Sequence, residues 1–213
     1  MFYRLLHRIN IKKIRRYLFL TGALLIVFVI IFETQVSPFE QKCIQKQAKT
    51  ISNRIINQSV LKVLKKLDYN YDDLAKVNYS NDGEVNAITT NSYNINRIKT
   101  KSMLKIQQKL DRQKYYNFDL PIGAFTQLTI LNNLGPNVTV NFKLTGSANC
   151  KIKNKFQSAG INQTIHRIYL VVVAKITVLS PSYTSEKVYK TNYEVAQTVI
   201  IGNIPSTFAN VNK

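Results

Sequence analysis

Residues 17 to 32, Tyr-Leu-Phe-Leu-Thr-Gly-Ala-Leu-Leu-Ile-Val-Phe-Val-Ile-Ile-Phe, contain no charge and are bounded by Arg15-Arg16 and by Glu33. A helix with no polar face has no surface to offer water, so this run constrains the rest of the chain more than any other feature. As a helix it measures about 24 Å, a little short of the ~30 Å hydrocarbon core of a bilayer. Snorkelling of Arg15 and Arg16 and entry of Thr34 to Val36 into the interface close that gap. A run of this length also suits a buried core helix or the apolar part of a cleaved leader. No small-x-small cleavage pattern follows it, since the next residues are Glu33-Thr-Gln-Val-Ser-Pro-Phe-Glu40. The expectation is an uncleaved single transmembrane anchor over residues 17–36.

Six basic residues, Arg4, Arg8, Lys12, Lys13, Arg15 and Arg16, precede the run, and no Lys or Arg falls in the eight residues after Phe32. By the positive-inside rule, residues 1–16 form a basic cytoplasmic tail and everything from Glu33 onward is extracytoplasmic. The tail has Phe2, Leu5, Leu6, Ile9, Ile11 and Ile14 between its charges, a pattern that also suits the inner leaflet surface. All 11 acidic residues follow the run, against 30 Lys and Arg in the chain, so the body remains basic. Such a body attracts polyanions. Outside the cytoplasm these are anionic lipid, cell-wall polymer or acidic protein, and nucleic acid is not expected. A Lys-, Asn- and Ile-rich composition spread over a solvated surface gives the same excess without any partner.

With 45% hydrophobic residues and 10% aromatics the body has the material for a core. Ser37-Pro38 predicts a break after the anchor. From Glu40 to Leu67 the chain reads as one helix: Ile44, Ala48, Ile51 and Ile55, then Val60, Val63, Leu64 and Leu67, repeat at three and four residues. A hairpin is predicted next, Leu74 to Tyr79 and Val85 to Ile95 around Asn81-Asp82-Gly83. Asn96 is predicted to cap a second helix through Ile98, Leu104, Ile106 and Leu110. From Phe118 the texture turns to β-branched alternation: Val138 to Leu144, Ile165 to Leu179 and Tyr189 to Ile201, with turns expected at Ser180-Pro181 and Ser185-Glu186. Val171-Val172-Val173-Ala174 suggests a strand covered on both faces. The fold class is therefore α+β: the anchor, an extracytoplasmic helix-strand-strand-helix unit over 37–117, and a mainly antiparallel β-sheet region over 118–207. The two share one core or meet at a boundary near 112–118, and a short tail spans 208–213.

Chemistry-bearing residues are sparse. His7 lies in the expected tail and His166 stands alone, with no acid or nucleophile near it in sequence. Asp72-Asp73 suit a local turn, Asp82 and Glu84 flank the hairpin turn, and Asp119 and Glu194 make a glycosidase-type carboxylate pair only by conjecture. Cys43 and Cys150 have no metal-ligand spacing; two free thiols are expected, with a single bridge between them in an oxidising compartment as the alternative. No catalytic residue, metal site or cofactor is expected. The string Gly160-Ile-Asn-Gln-Thr164 sets polar residues between apolar segments; Gly160, Asn162, Gln163, Thr164 and His166 form either a tight turn with side-chain caps or a polar contact surface at a sheet edge.

Ser158-Ala-Gly-Ile-Asn-Gln-Thr-Ile-His166 with Ile168-Tyr-Leu, Leu120-Pro-Ile-Gly123, Leu134-Gly-Pro136, and Ala196-Gln-Thr-Val-Ile-Ile-Gly202 with Ile204-Pro205 resemble the YunB family of sporulation proteins. The N-terminal run, Ala48 with Ile51-Ser52-Asn53, and the order of elements extend the likeness to about residues 15 to 207. The chain departs from the family's pattern at Gln197, where Glu is expected, and over Thr126 to Asn133. The resemblance implies a membrane protein made in the mother cell of an endospore former and needed for spore formation, with no established enzymatic activity. The expected role is envelope assembly or scaffolding, through self-association or contact with other sporulation envelope proteins. Peptidoglycan remodelling, or sensing of an envelope ligand, are the alternatives.

Overall fold

The computed structural model describes residues 11–81, 83–112, 115–160 and 162–202. Residues 1–10, which hold Arg4, His7 and Arg8 of the expected tail, lie outside the described residues, as do Asp82, Ile161 and the expected C-terminal tail. The elements are helix α1 (Ile11–Ile31), a π-helical turn (Phe32–Val36), helix α2 (Ser37–Leu67), the short helix α3 (Tyr71–Leu74), strands β1 (Ala75–Tyr79) and β2 (Val85–Thr90), helix α4 (Ser92–Arg112), strand β3 (Tyr116–Pro121), a 3-10 turn (Ile122–Thr126), and strands β4 (Asn137–Gly160), β5 (Gln163–Ser180) and β6 (Tyr183–Ile201). The class is α+β, with β1-β2 as a two-stranded sheet and a second sheet in the order β3-β4-β5-β6. Internal contacts divide the chain into two compact units, Met1–Gln47 with Asn117–Asn141, and Ala48–Tyr116 with Phe142–Lys213.

In the first unit, α1 carries the apolar run, and its side chains from Tyr17 to Ile30 are exposed on every face, Leu18 at 71% and Phe19 at 78%. Among the described residues no helix is long and apolar enough to cross a membrane. The expected transmembrane segment is found as helix α1, whose first turns hold Lys13, Arg15 and Arg16 and whose uncharged part begins at Tyr17. The break predicted at Ser37-Pro38 is corrected to a π turn. Pro38 has no N–H to give the carbonyl four residues earlier, and the backbone accommodates the loss by widening just before it. Phe39 meets Phe125 edge to face, with ring centroids 5.8 Å apart. Gly123 sits where a Cβ would come within 1.8 Å of the Leu131 carbonyl oxygen, a space only glycine fills.

In the second unit, α2 buries Ser52, Ile55, Ile56, Ser59, Val60 and Val63, a helical stripe in which two serines take core positions. Helix α4 buries Ile98, Ser102, Ile106 and Leu110 at a strict four-residue spacing. It begins earlier than its predicted cap at Asn96: the Asn91 side chain accepts from the Asn94 N–H, and β2 stops at Thr90 rather than Ile95. The hairpin turn is as expected in kind, with the Gly83 N–H donating to the Ser80 carbonyl at 3.0 Å and φ of 78° at Gly83. Leu74 belongs to α3, which an Asn70/Asp73 capping box starts.

The sheet strands are longer than their patterns predicted. Strand β4 runs on to Gly160, and β6 starts at Tyr183, so the turn expected at Ser185-Glu186 is strand paired to Thr177 and Val178 of β5. Strand β5 lies between β4 and β6, antiparallel to both. Its even-numbered side chains from His166 to Val178 are fully buried and its odd-numbered ones are half-buried or exposed. Val171 and Val173 are thus only half covered, which corrects the expectation of a strand buried on both faces: helices pack on one face of this sheet, and the other is open. The Tyr193 hydroxyl donates to the Asn57 side-chain oxygen, tying α2 to the covered face.

Candidate functional site

The strings singled out in the sequence meet at one end of the sheet. Gly160, with φ of 134°, closes β4 after a register shift at Ser158, and Asn162 takes a left-handed conformation with φ of 59°. Gln163 and Thr164 then open β5, paired to Gly160 and Ser158 on one side and to Ile201 and Ile200 on the other. The Gly202 N–H donates to the Asn162 carbonyl at 2.7 Å. Gly160 thus ends β4, and from Gln163 onward β5 is an inner strand whose backbone is occupied on both sides.

His166 lies under this end with no exposed surface. Its Nδ1 is 2.6 Å from the Tyr71 hydroxyl oxygen, 95 residues earlier in the chain. The Phe156 ring stacks on the imidazole at 4.4 Å and 9°, and the Tyr71 ring meets it edge-on at 5.6 Å. Nε2 has no hydrogen-bond partner among the described residues. A charged imidazole would bury an unanswered N–H here, and burial accordingly lowers the His166 pKa below 6.5. Burial, with Asp72 second, raises that of Tyr71. This hydrogen bond between the half-buried Tyr71 and the buried His166 fastens α3 to the sheet.

The conjectured carboxylate pair is divided between the two units. Asp119 accepts from the Thr139 hydroxyl at 2.7 Å. Glu194 lies 3.8 Å from Arg167 Nε, and Arg167 also donates to Gln197 at 3.3 Å and to Gln157 at 3.0 Å, so Gln197 serves in a cross-strand cluster. Cys43 is half-buried and Cys150 buried, both as free thiols, and burial pushes Cys150 up to about 11 against the pull of Lys99. No group of acidic, histidine or cysteine side chains suited to a metal occurs among the described residues. Arg15 and Arg16 are exposed in α1, and Glu33 is exposed in the π turn.

Two surface grooves were not foreseen. One, of about 440 Å³, lies between α2 and β6 and is lined by Lys49, Asn53 and Asn57 together with Val188 to Thr191. The other, of about 260 Å³, lies between α2 and α4, where Lys62 and Lys66 face Lys101 and Lys105 over Val63 and Leu104. In the sequence these lysines belong to the general basic excess of the body. Their signal was the same four-residue spacing in both helices with no acid beside it.

The strings Leu120 to Gly123 and Leu134 to Pro136 also meet: the Ile122 N–H donates to the Pro136 carbonyl at 3.0 Å and the Gly123 N–H to the Leu134 carbonyl at 2.9 Å. Residues 117–207, which hold all of these contacts between strings, match the family described as Sporulation protein YunB. Over that stretch the chain is similar to the YunB family of sporulation proteins. Sporulation protein YunB of Bacillus subtilis (strain 168) is 25% identical over 174 residues, covering 77% of this chain and 68% of that relative. No solved structure matches the chain. The family's matched region begins at β3 and takes in the whole β4-β5-β6 sheet.

Proposed function

We propose that this YunB-like protein is a membrane-anchored, non-enzymatic assembly factor of the spore envelope, made in the mother cell, with its body outside the cytoplasm. The observation that carries the anchoring is α1 itself, which holds apolar side chains from Leu18 to Ile30 exposed on every face. Its uncharged part reaches across most of a bilayer's hydrocarbon core, and Arg15 and Arg16 are long enough to seat their charges in the headgroups. Six basic residues ahead of that part favour a cytoplasmic N-terminus. The assembly role is supported by the long strand β6 at the edge of the sheet, by the open sheet face and by the basic grooves. Each offers area for a second copy, another envelope protein or an anionic surface.

Peptidoglycan remodelling is the competing reading. It needs an acid or base that reaches substrate, whereas His166 is fully buried and Asp119 and Glu194 are engaged by neighbouring side chains. The discriminating experiment puts Asp119→Asn, Glu194→Gln and the wild type into an endospore former deleted for its own copy, and counts heat-resistant spores. The assembly reading expects both variants to match wild type at equal protein level. Loss of spores by a folded, abundant variant would transfer the argument to the enzyme.

A further inference from the structure

The groove between α2 and α4 differs from the rest of the basic surface in its order. The Lys109 ammonium donates to the Gln58 side chain at 2.9 Å, which sets those two residues level on the paired helices. The groove's lining then runs forward along α2, through Lys62 and Lys66, and backward along α4, through Lys105 and Lys101. The helices are therefore antiparallel, and each turn advances four residues on one and retreats four on the other. Lys62 stands level with Lys105, and Lys66 with Lys101. These are two rungs of paired ammonium groups about 6 Å apart along the helix axis.

Among the described residues nothing answers those charges. None of the four lysines makes a hydrogen bond or ion pair among the described residues. From Ala48 to Leu67 α2 has no acidic residue, and the one acid of α4, Asp111, is bonded to Gln107. Like charges set opposite one another raise the free energy of the folded chain unless an anion sits between them.

We propose that this groove binds a linear polyol phosphate, a non-nucleic polymer with one phosphodiester charge per repeat, whose successive phosphates seat on the two rungs. This deepens, and rests on, the envelope reading, because such a polymer would be met outside the cytoplasm. A single lipid headgroup brings one phosphodiester and would leave the second rung unanswered. A nucleic acid strand brings bases, and the groove has aliphatic Val63 and Leu104 between its lysines with no aromatic ring to stack on.

The test uses the full-length chain in a non-ionic detergent with fluorescently labelled poly(glycerol phosphate), read by anisotropy over a salt series. Binding is expected to weaken steeply with salt. Lys62→Gln with Lys105→Gln should lower affinity roughly tenfold, Lys66→Gln with Lys101→Gln should do the same, and the four together should reduce the salt slope by several counterions. Lys151→Gln with Lys153→Gln, on the open face of the sheet, is the charge-matched control and should retain wild-type affinity, with thermal melts confirming that every variant folds. The proposal is overturned by absence of binding at low salt. It is equally overturned by an equal loss in the control, or by tighter binding of a single-stranded oligonucleotide or of short-chain phosphatidylglycerol. A cytoplasmic body in the cell would defeat the envelope reading and leave this binding result standing.

Discussion

The His166 end of the sheet and the lysine groove between α2 and α4 place polar side chains in opposite circumstances. At the first, polar groups are enclosed and the fold itself supplies their main contacts: Tyr71 bonds the imidazole, Phe156 stacks on it, and both neighbouring strands occupy its backbone. At the second, four lysines line an open groove, and among the described residues none of their ammonium groups has a hydrogen bond or ion pair. Removing part of an enclosed polar contact leaves an unsatisfied group and is costly, whereas exposed unpaired charges contribute little to stability. The first arrangement holds the fold together, and the second is available to a partner.

That contrast is sharpest in the cost of truncation. His166→Ala deletes a fully buried ring, leaves a cavity beneath Phe156 and frees the Tyr71 hydroxyl, so a loss of about 3 kcal/mol is expected in denaturant unfolding. Tyr71→Phe keeps the ring packing and strands only the imidazole nitrogen, which predicts a smaller loss of about 1–2 kcal/mol.

Acid should act on the same place. The folded-state pKa of His166 is lowered, so its contribution is fully present above the ordinary value of 6.5. It is lost as pH falls from there to the folded value, because over that interval the unfolded chain binds a proton that the folded chain does not. The slope is at most about 1.4 kcal/mol per pH unit, and a His166→Leu variant should lack that component in pH-dependent melts. The smallest effect belongs to the groove: with Lys62, Lys66, Lys101 and Lys105 all changed to Gln, stability should stay within about 0.5 kcal/mol of wild type or rise slightly. A loss of several kcal/mol would mean that the lysines, too, are structural and would erase the distinction.

Helical periodicity revealed α2 and α4 because their buried faces repeat every three to four residues. Alternation revealed the heart of β5 for the equivalent reason. The ends of strands were hidden where pairing overrides local preference. Tyr183 to Val188 are polar and turn-like, yet they pair along β5 from Ser180 to Lys175. Beyond Leu144, β4 carries Gly146, and a Cβ there would come within 2.1 Å of the Lys175 carbonyl oxygen; glycine in that strand marks close backbone approach, not a turn. The turn at Gly160 to Thr164 was legible from its residue types, and His166 stood out as the lone histidine of the body. Its partner Tyr71 was not legible, because no local pattern links residues 95 positions apart. The lysine rungs were visible only as two separate helix faces until the Gln58–Lys109 contact set their register.

The proposed function requires that α1 anchor a body lying outside the cytoplasm at the membrane around the forespore. A fluorescent reporter that matures outside the cytoplasm, fused to the C-terminus and imaged through spore formation in a strain lacking its own copy, addresses it most directly. A fluorescent ring around the forespore and restored heat-resistant spores are expected. Dark cells in which an immunoblot finds full-length fusion would put the body in the cytoplasm, and uniform signal with no effect on spores would remove the assembly role; either result contradicts the claim.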